Sequence, residues 1–255
     1  MIVKQIILAN PTHKRGFRED IKDFLKVAEF FYDTIQGEGI NIGHPAIFLR
    51  LQGCTQNCIW CDTKEVWRFG NPYTYREIID LLIGSGAVSR LKDGHHFVIT
   101  GGSPLLQQDR LISFLTEFII QFGFIPYIEI ENECTIMPNQ RLIDLVSCWN
   151  NSPKLSSSQN PFELRYRPQI LRTLSSLQNS WFKFVVSSEA DWEEIENGFI
   201  SPGLIKKNQI ILMPLGATKK ELEMNRTIVV DIAIENGVRY ASREHIILWD
   251  KKTGI

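Results

Sequence analysis

No apolar run in this chain approaches the roughly 20 residues that span a bilayer, and the apolar part of Met1 to Leu8 is too short for a secretory signal. Both absences argue for a chain that stays in the cytoplasm. Neither charge is in excess. With 28 basic and 29 acidic residues the formal net charge is -1, which argues against binding nucleic acid or a membrane surface by bulk electrostatics and favours a small-molecule partner. Cysteine is scarce and odd in number, five in all, so a disulfide framework is a poor reading and a reducing compartment a good one. Internal repeats and low-complexity tracts are missing too. What remains is an ordinary globular composition, 44% hydrophobic and 22% charged over 255 residues, enough for a substantial core in one main domain.

Three of the five cysteines fall inside eight residues, as Cys54, Cys58 and Cys61 in the pattern C-x-x-x-C-x-x-C. Thiolates this close serve one centre. Four would close a structural zinc tetrahedron, whereas three leave a position open, and an open position on a metal is where chemistry happens. The spacing therefore favours a catalytic [4Fe-4S] cluster, with a zinc site completed from elsewhere as the plainer alternative. Cys134 and Cys148 read as buried neutral thiols.

From Ala46 onward, short β-prone runs alternate with amphipathic helical stretches. The runs are Ala46–Leu51, His96–Thr100, Tyr127–Glu131, Leu145–Trp149, Phe182–Val186 and Ile210–Met213, and the helical stretches include Tyr75–Ile83, Gln107–Phe122 and Ala217–Glu235. Strand, helix, strand in this rhythm implies an α/β fold with a parallel sheet, whose site is built by the loops after the strands. The cysteine loop follows the first run, Gly101-Gly102-Ser103-Pro104 the second, Glu131-Asn132-Glu133-Cys134-Thr135 the third and Ser152-Pro153-Lys154 the fourth. The Ser-rich segment from Ser152 to Gln159 reads as an active-site loop rather than a linker. Residues 1–30 read as an N-terminal accessory extension before a domain at 31–255, with a helix-compatible stretch from Arg18 to Phe30 whose Ile21, Phe24, Leu25 and Val27 share a face. Gly37 and Gly39 around Glu38 mark a loop that can approach a ligand closely.

C-x-x-x-C-x-x-C after a first strand, with Gly-Gly-x-Pro after the second, resembles the radical S-adenosyl-L-methionine (SAM) superfamily. That resemblance implies a partial (β/α)6-type barrel and a [4Fe-4S] cluster held by Cys54, Cys58 and Cys61, whose fourth iron binds SAM. More narrowly, Phe31-Tyr32-Asp33-Thr34-Ile35-Gln36-Gly37-Glu38-Gly39, Phe48-Leu49-Arg50-Leu51-Gln52-Gly53-Cys54 and Trp60-Cys61-Asp62-Thr63 are similar to the 7-carboxy-7-deazaguanine synthase family. Thr100-Gly101-Gly102, Ser152-Pro153-Lys154, Lys183-Phe184-Val185, Met213-Pro214 and the region of Arg243 and His245 also find counterparts. The family implies a lyase that contracts 6-carboxy-5,6,7,8-tetrahydropterin to 7-carboxy-7-deazaguanine with loss of ammonia, on the route to 7-deazapurines such as queuosine. It further implies Mg2+, an external electron donor and a homodimer.

Carried across by position, Trp60, Asp62, Gly102, Ser152, Pro153 and Lys154 would line the SAM site. Ile35, Gln36, Gly37, Arg50 and Thr100 would hold the substrate, and Thr63 would touch Mg2+. Arg50 offers a planar fork that suits a carboxylate, and the Gln36 amide has a donor and an acceptor for a pterin edge. Thr63 supplies one oxygen, so Mg2+ there would depend on substrate and water. Two departures stand out. Ser103 occupies the place where the Gly-Gly-Glu-Pro loop has Glu, and Glu131-Asn132-Glu133-Cys134-Thr135 replaces E-T-N-G-T, which makes Glu133 a candidate to compensate. Cys134 is not expected to join the cluster, because the fourth iron must stay open. Two other readings share part of the signal: another radical SAM enzyme such as a glycyl-radical activase, and a non-catalytic iron-sulfur or zinc-binding homologue.

Overall fold

The structure, a computed structural model, describes residues 4–6 and 22–252. Its strands are β1 (Lys4–Ile6), β2 (Phe24–Ile35), β3 (Pro45–Leu51), β4 (Asn71–Thr74), β5 (His96–Gly101), β6 (Tyr127–Asn132), β7 (Cys148–Asn151), β8 (Ser180–Val186), β9 (Ile210–Pro214) and β10 (Arg239–Tyr240). The helices are α1 (Lys64–Trp67), α2 (Tyr75–Gly84), α3 (Ala87–Lys92), α4 (Gln108–Phe122), α5 (Gln140–Leu145), α6 (Phe162–Arg165), α7 (Pro168–Ser176), α8 (Glu189–Ile195), α9 (Lys219–Asn236) and α10 (Glu244–Trp249). One sheet runs in the order β1-β2-β3-β5-β6-β7-β8-β9-β10, with β4 on the outer side of β2. From β3 to β10 every pairing is parallel, and β2 joins β3 antiparallel.

The pleat sorts the strands' side chains into two sets. Ile47, Leu49, Leu51, Phe97, Ile99, Ile128, Ile130, Phe182, Phe184, Ile210 and Leu212 pack with the helices into the main core. Their alternating neighbours, among them Phe48, Arg50, Thr100, Glu131, Lys183 and Met213, face one cavity. Residues of β2 and β3 share that cavity with residues of β8 and β9, so the sheet curls. Among the described residues it does not close on itself, because β10 pairs there with β9 alone, which is the partial barrel expected. Helix boundaries follow local chemistry. Thr74 and Glu77 form a capping box on α2, and Gly123 ends α4 at φ 71.

Two expectations are corrected. The stretch read as a helix up to Phe30 is strand from Phe24 onward, while residues 18–21 lie outside the described residues. A strand buried on both faces loses its period-2 signature, and bulges in β2 disturb it further. The register shifts between Val27 and Glu29, which puts Leu25, Val27, Phe30 and Tyr32 in the main core while Phe31 turns inward. β2 thus runs through position 30, where the sequence reading divides extension from barrel. The fourth parallel strand is Cys148–Asn151 rather than Leu145–Trp149, because Asn139 caps α5, which carries the apolar run as far as Leu145.

Candidate active site

The cysteine loop leaves β3 through Gly53, whose φ of 98 favours glycine. It lies directly on the loop after β5. A Cβ on Gly102 would stand 2.3 Å from Cys54 Cβ, so only glycine lets the two loops meet, and Ser103 N–H donates to Gly53 O at 2.8 Å to fix the contact. The segment after β7 braces the other side. Asn57 N–H donates to Asn160 Oδ1 at 2.8 Å, Ile59 N–H to Ser158 O at 3.2 Å and Trp60 Nε1 to Ser157 O at 3.1 Å. The Ser-rich segment is therefore a wall of the site.

Each of the three sulfurs has its own donor from elsewhere. Ser103 Oγ lies 3.6 Å from Cys54 Sγ, Asn160 Nδ2 3.1 Å from Cys58 Sγ and Trp67 Nε1 3.4 Å from Cys61 Sγ. Hydrogen bonds of this kind suit thiolates that carry a metal centre. Cys134 and Cys148 are buried and do not line the cavity. No further cysteine among the described residues reaches the centre, so three thiolates with one open position fit a [4Fe-4S] cluster that also takes SAM.

The cavity has a volume of about 470 Å³. It brings together every candidate named from the sequence except Pro153, which is buried behind Ser152 and Lys154. Arg50 gives Nε to Glu29 at 2.8 Å, and among the described residues neither terminal nitrogen has a hydrogen-bond partner. Phe31 and Phe48 stack at 4.7 Å beside it, an apolar wall for a flat ring. Thr63 precedes α1; its side chain makes no cap bond, and its Oγ1 lies 3.9 Å from Cys61 Sγ. Gln36 is different. Its Nε2 donates to Glu129 at 3.2 Å and Glu131 at 3.1 Å, and its Oε1 accepts from Glu38 N–H at 3.2 Å. Both ends of the amide thus have protein partners, and Gln36 lines the cavity with them in place.

Facing the cysteine loop is a chain of ions of which sequence reading gave a role to Asp62 alone. Lys183 bridges Glu38, at 2.7 Å, and Glu131. Arg243 Nε lies 2.8 Å from the other Glu38 oxygen, and Arg243 also binds Asp62. Burial pushes the Glu38 carboxyl up, but Lys183 and Arg243 outweigh it and hold the group well below the usual carboxylate range. Burial, joined by the charges of Glu38 and Glu129, raises Glu131 despite Lys183. His245 is pushed down by burial, against the pull of Glu38, and it sits so close to Gly37 that a Cβ there would meet Nδ1 at 2.3 Å. Glu38, Asp62 and His245 bring ligand atoms within 4.8 Å of one another, but Arg243 binds both carboxylates, so the cation at that place is the guanidinium. One signal in the sequence pointed here. In Tyr127-Ile128-Glu129-Ile130-Glu131 the charges alternate with isoleucines, and where helices cover the apolar face such charges must turn inward.

An open, curled parallel sheet with a three-cysteine loop at its C-terminal edge defines the radical SAM class of α/β enzyme. A family model described as "4Fe-4S single cluster domain" matches residues 35–125. The 7-carboxy-7-deazaguanine synthase of Pyrobaculum aerophilum is 34% identical over 234 residues, covering 90% of this chain and 97% of the relative. That of Halobacterium salinarum is 31% identical over 247 residues, covering 89% and 91%. The crystal structure of QueE from Escherichia coli superposes with a TM-score of 0.63 at 24% identity, covering 87% of this chain and 95% of that one; it supports the fold. The chain belongs to the 7-carboxy-7-deazaguanine synthase family.

Proposed function

We infer that the chain is a radical SAM lyase that contracts 6-carboxy-5,6,7,8-tetrahydropterin to 7-carboxy-7-deazaguanine with loss of ammonia, in 7-deazapurine biosynthesis. The observation that carries this reading is the sharing of one cavity by the cysteine loop, the fork of Arg50 and the stacked Phe31 and Phe48. Cys54, Cys58 and Cys61 would hold the cluster, which with bound SAM supplies reductive cleavage to a carbon radical that takes a hydrogen atom from the substrate.

The protein's own part is placement. Arg50 offers two parallel N–H donors to the substrate carboxylate, the planar pairing that guanidinium makes best. Phe31 and Phe48 take the face of the pterin, and Ile35, Gly37 and Thr100 border it. His245, neutral at pH 7, offers a ring nitrogen that can accept a proton. The Glu38–Lys183–Glu131 and Glu38–Arg243–Asp62 pairs fix these walls, with few groups free to solvate a stray radical. Trp60, Asp62, Gly102, Ser152 and Lys154 border the SAM side, Lys154 lying over Trp60 at 5.8 Å. Mg2+ would take the Thr63 hydroxyl, with substrate oxygens and water completing its shell. An external electron donor, a homodimer and a cytoplasmic setting belong to the same proposal. Among the described residues no helix is long and apolar enough to cross a membrane.

The test is anaerobic reconstitution with iron and sulfide, then reduction with SAM, Mg2+ and the carboxytetrahydropterin, with mass detection of 7-carboxy-7-deazaguanine. Deoxyadenosine without that product would replace this reading by another radical SAM activity. Stoichiometric zinc with no cluster absorption would leave a non-catalytic binding protein.

A further inference from the structure

One acid inside the barrel has no place in the site. Glu129 stands on β6 one pleat below Glu131, is 0% exposed and does not line the cavity. Its level is otherwise apolar, because Val98 is its neighbour across the β5–β6 pairing and Phe48 is the neighbour of Val98 across β3–β5. Both belong to a buried cluster with Phe31 and Ala46. An apolar side chain at position 129 would fill the same space without desolvating a charge, so the carboxylate persists only if it is matched at every side. Its Oε1 meets His96 Nδ1, and its Oε2 accepts from Asn150 Nδ2 at 2.6 Å and from Gln36 Nε2 at 3.2 Å. All three partners lead to the turn between β2 and β3. Gln36 opens that turn, whose neck is closed by Gln36 N–H to His44 O and by Gly43 N–H to Gln36 O, both at 2.7 Å. His44 at the far end lays its ring on His96 at 3.5 Å, and Tyr127 backs His96 at 3.9 Å. The middle of the turn, Gly39 at φ 74, runs so near Asn150 that a Cβ would stand 2.7 Å from its Oδ1.

We propose that His96, Glu129 and Asn150 are positioning residues that hold the turn Gln36–His44 from beneath the cavity floor and so set the affinity for the carboxylated pterin without touching it. The start, middle and end of the turn rest on this one trio. Between those points the turn carries Gly37 and Glu38 into the cavity wall, and Glu38 N–H donates to Gln36 Oε1 at 3.2 Å. The amide that Glu129 grips therefore grips the Glu38 backbone in its turn. The effect is selective. Among the described residues none of the trio's side-chain bonds goes to the cysteine loop, which is braced by the loops after β5 and β7, so the SAM side keeps its shape when the trio is changed. This inference rests on the pterin reading of the site.

The experiment pairs hydrogen exchange over residues 35–44 of the ligand-free holoenzyme with equilibrium binding of SAM and of 6-carboxy-5,6,7,8-tetrahydropterin, at matched iron and sulfide content. Glu129→Leu removes the acceptor that three donors share. It should weaken the pterin about 10- to 100-fold, leave SAM affinity nearly unchanged and quicken exchange over 35–44. Glu129→Gln keeps an acceptor for Asn150 or Gln36 and an amide donor for the other tautomer of His96, so it should recover most of the pterin affinity and of the exchange protection. His44→Ala removes only the half-buried ring that lies on His96. It should weaken the pterin about 3-fold with quicker exchange in the same segment, and it carries the test if Glu129→Leu does not keep its cluster. Unchanged exchange in every variant, equal losses for pterin and SAM, or quicker exchange with wild-type pterin affinity would each overturn the positioning role and leave the proposed function intact. If the wild-type holoenzyme binds SAM but no pterin, the proposed function falls and this inference with it.

Discussion

Glu38 and Glu133 are both buried carboxylates on the same cavity, and they live in opposite ways. Glu38 is met by Lys183 on one oxygen and Arg243 on the other. Glu133 is met by hydroxyls on one oxygen and by nothing on the other. A fully paired buried ion is part of the architecture, and removing one partner leaves a bare charge. A half-paired one leaves an oxygen that neither a described residue nor solvent meets. The difference separates charges that the fold pairs in full from those it leaves half-met.

If that division holds, the largest effect on stability comes from Lys183. Replacing it with Met leaves Glu38 and Glu131 facing each other without their shared cation, and urea denaturation should show a loss of about 3–5 kcal/mol. An unchanged midpoint would break the comparison at its paired end. Glu38→Gln should cost less, about 2–3 kcal/mol at pH 7, because Lys183 keeps Glu131 and Arg243 keeps Asp62. Its pH dependence has a definite sign. A carboxylate held below its unfolded value, about 4.3 for Glu, contributes stability above that pH and loses it as pH falls through the folded value. The gap between wild type and Glu38→Gln should therefore narrow from pH 7 to pH 3, and a gap that widens would contradict the pairing. Glu133→Gln without SAM should stay within about 1 kcal/mol of wild type in the same assay, since it exchanges one orphan atom for another.

Arg50 tests the half-met end of the division. Its Nε is tied to Glu29 and its terminal nitrogens have no hydrogen-bond partner among the described residues, so Arg50→Ala should weaken substrate about 10- to 100-fold with SAM affinity nearly unchanged. Equal losses for substrate and SAM, measured by binding to the holoenzyme, would remove Arg50 from the substrate side.

How much of this was legible in the sequence depended on whether the signal was local. Cys54, Cys58 and Cys61 sit within one loop, and six apolar runs bounded by turn residues marked parallel strands, so the centre and a parallel sheet could be read directly, while the partial barrel came from the family resemblance. β2 could not, because a strand buried on both faces and broken by bulges has neither period. The ion chain was hidden for another reason. Glu38, Lys183 and Arg243 stand 145 residues apart in one pair and 205 in the other, and only the curl of the sheet brings them together. Gln36 shows the converse limit, since the sequence offers its amide as a ligand contact but gives no sign that Glu129 and Glu131 also meet it.

The smallest effects should fall on the neutral hydrogen bonds around the sulfurs, where no charge is left bare. Asn160 and Trp67 donate to different thiolates, of Cys58 and Cys61. Each donor stabilises the more negative, reduced cluster, so Asn160→Ala and Trp67→Phe should each shift the midpoint potential downward. A hydrogen bond with a net contribution of about 0.5–1.5 kcal/mol corresponds to roughly 20–60 mV for a one-electron couple. Because the donors act on separate sulfurs and share no partner, the double variant should show close to the sum of the two shifts. A redox titration followed by electron paramagnetic resonance reads this directly, at unchanged iron content. A shift upward, or loss of iron, would mean that these side chains hold the loop's shape rather than tune its charge, and the cysteine wall would then resemble the Lys183 side of the cavity more than it differs from it.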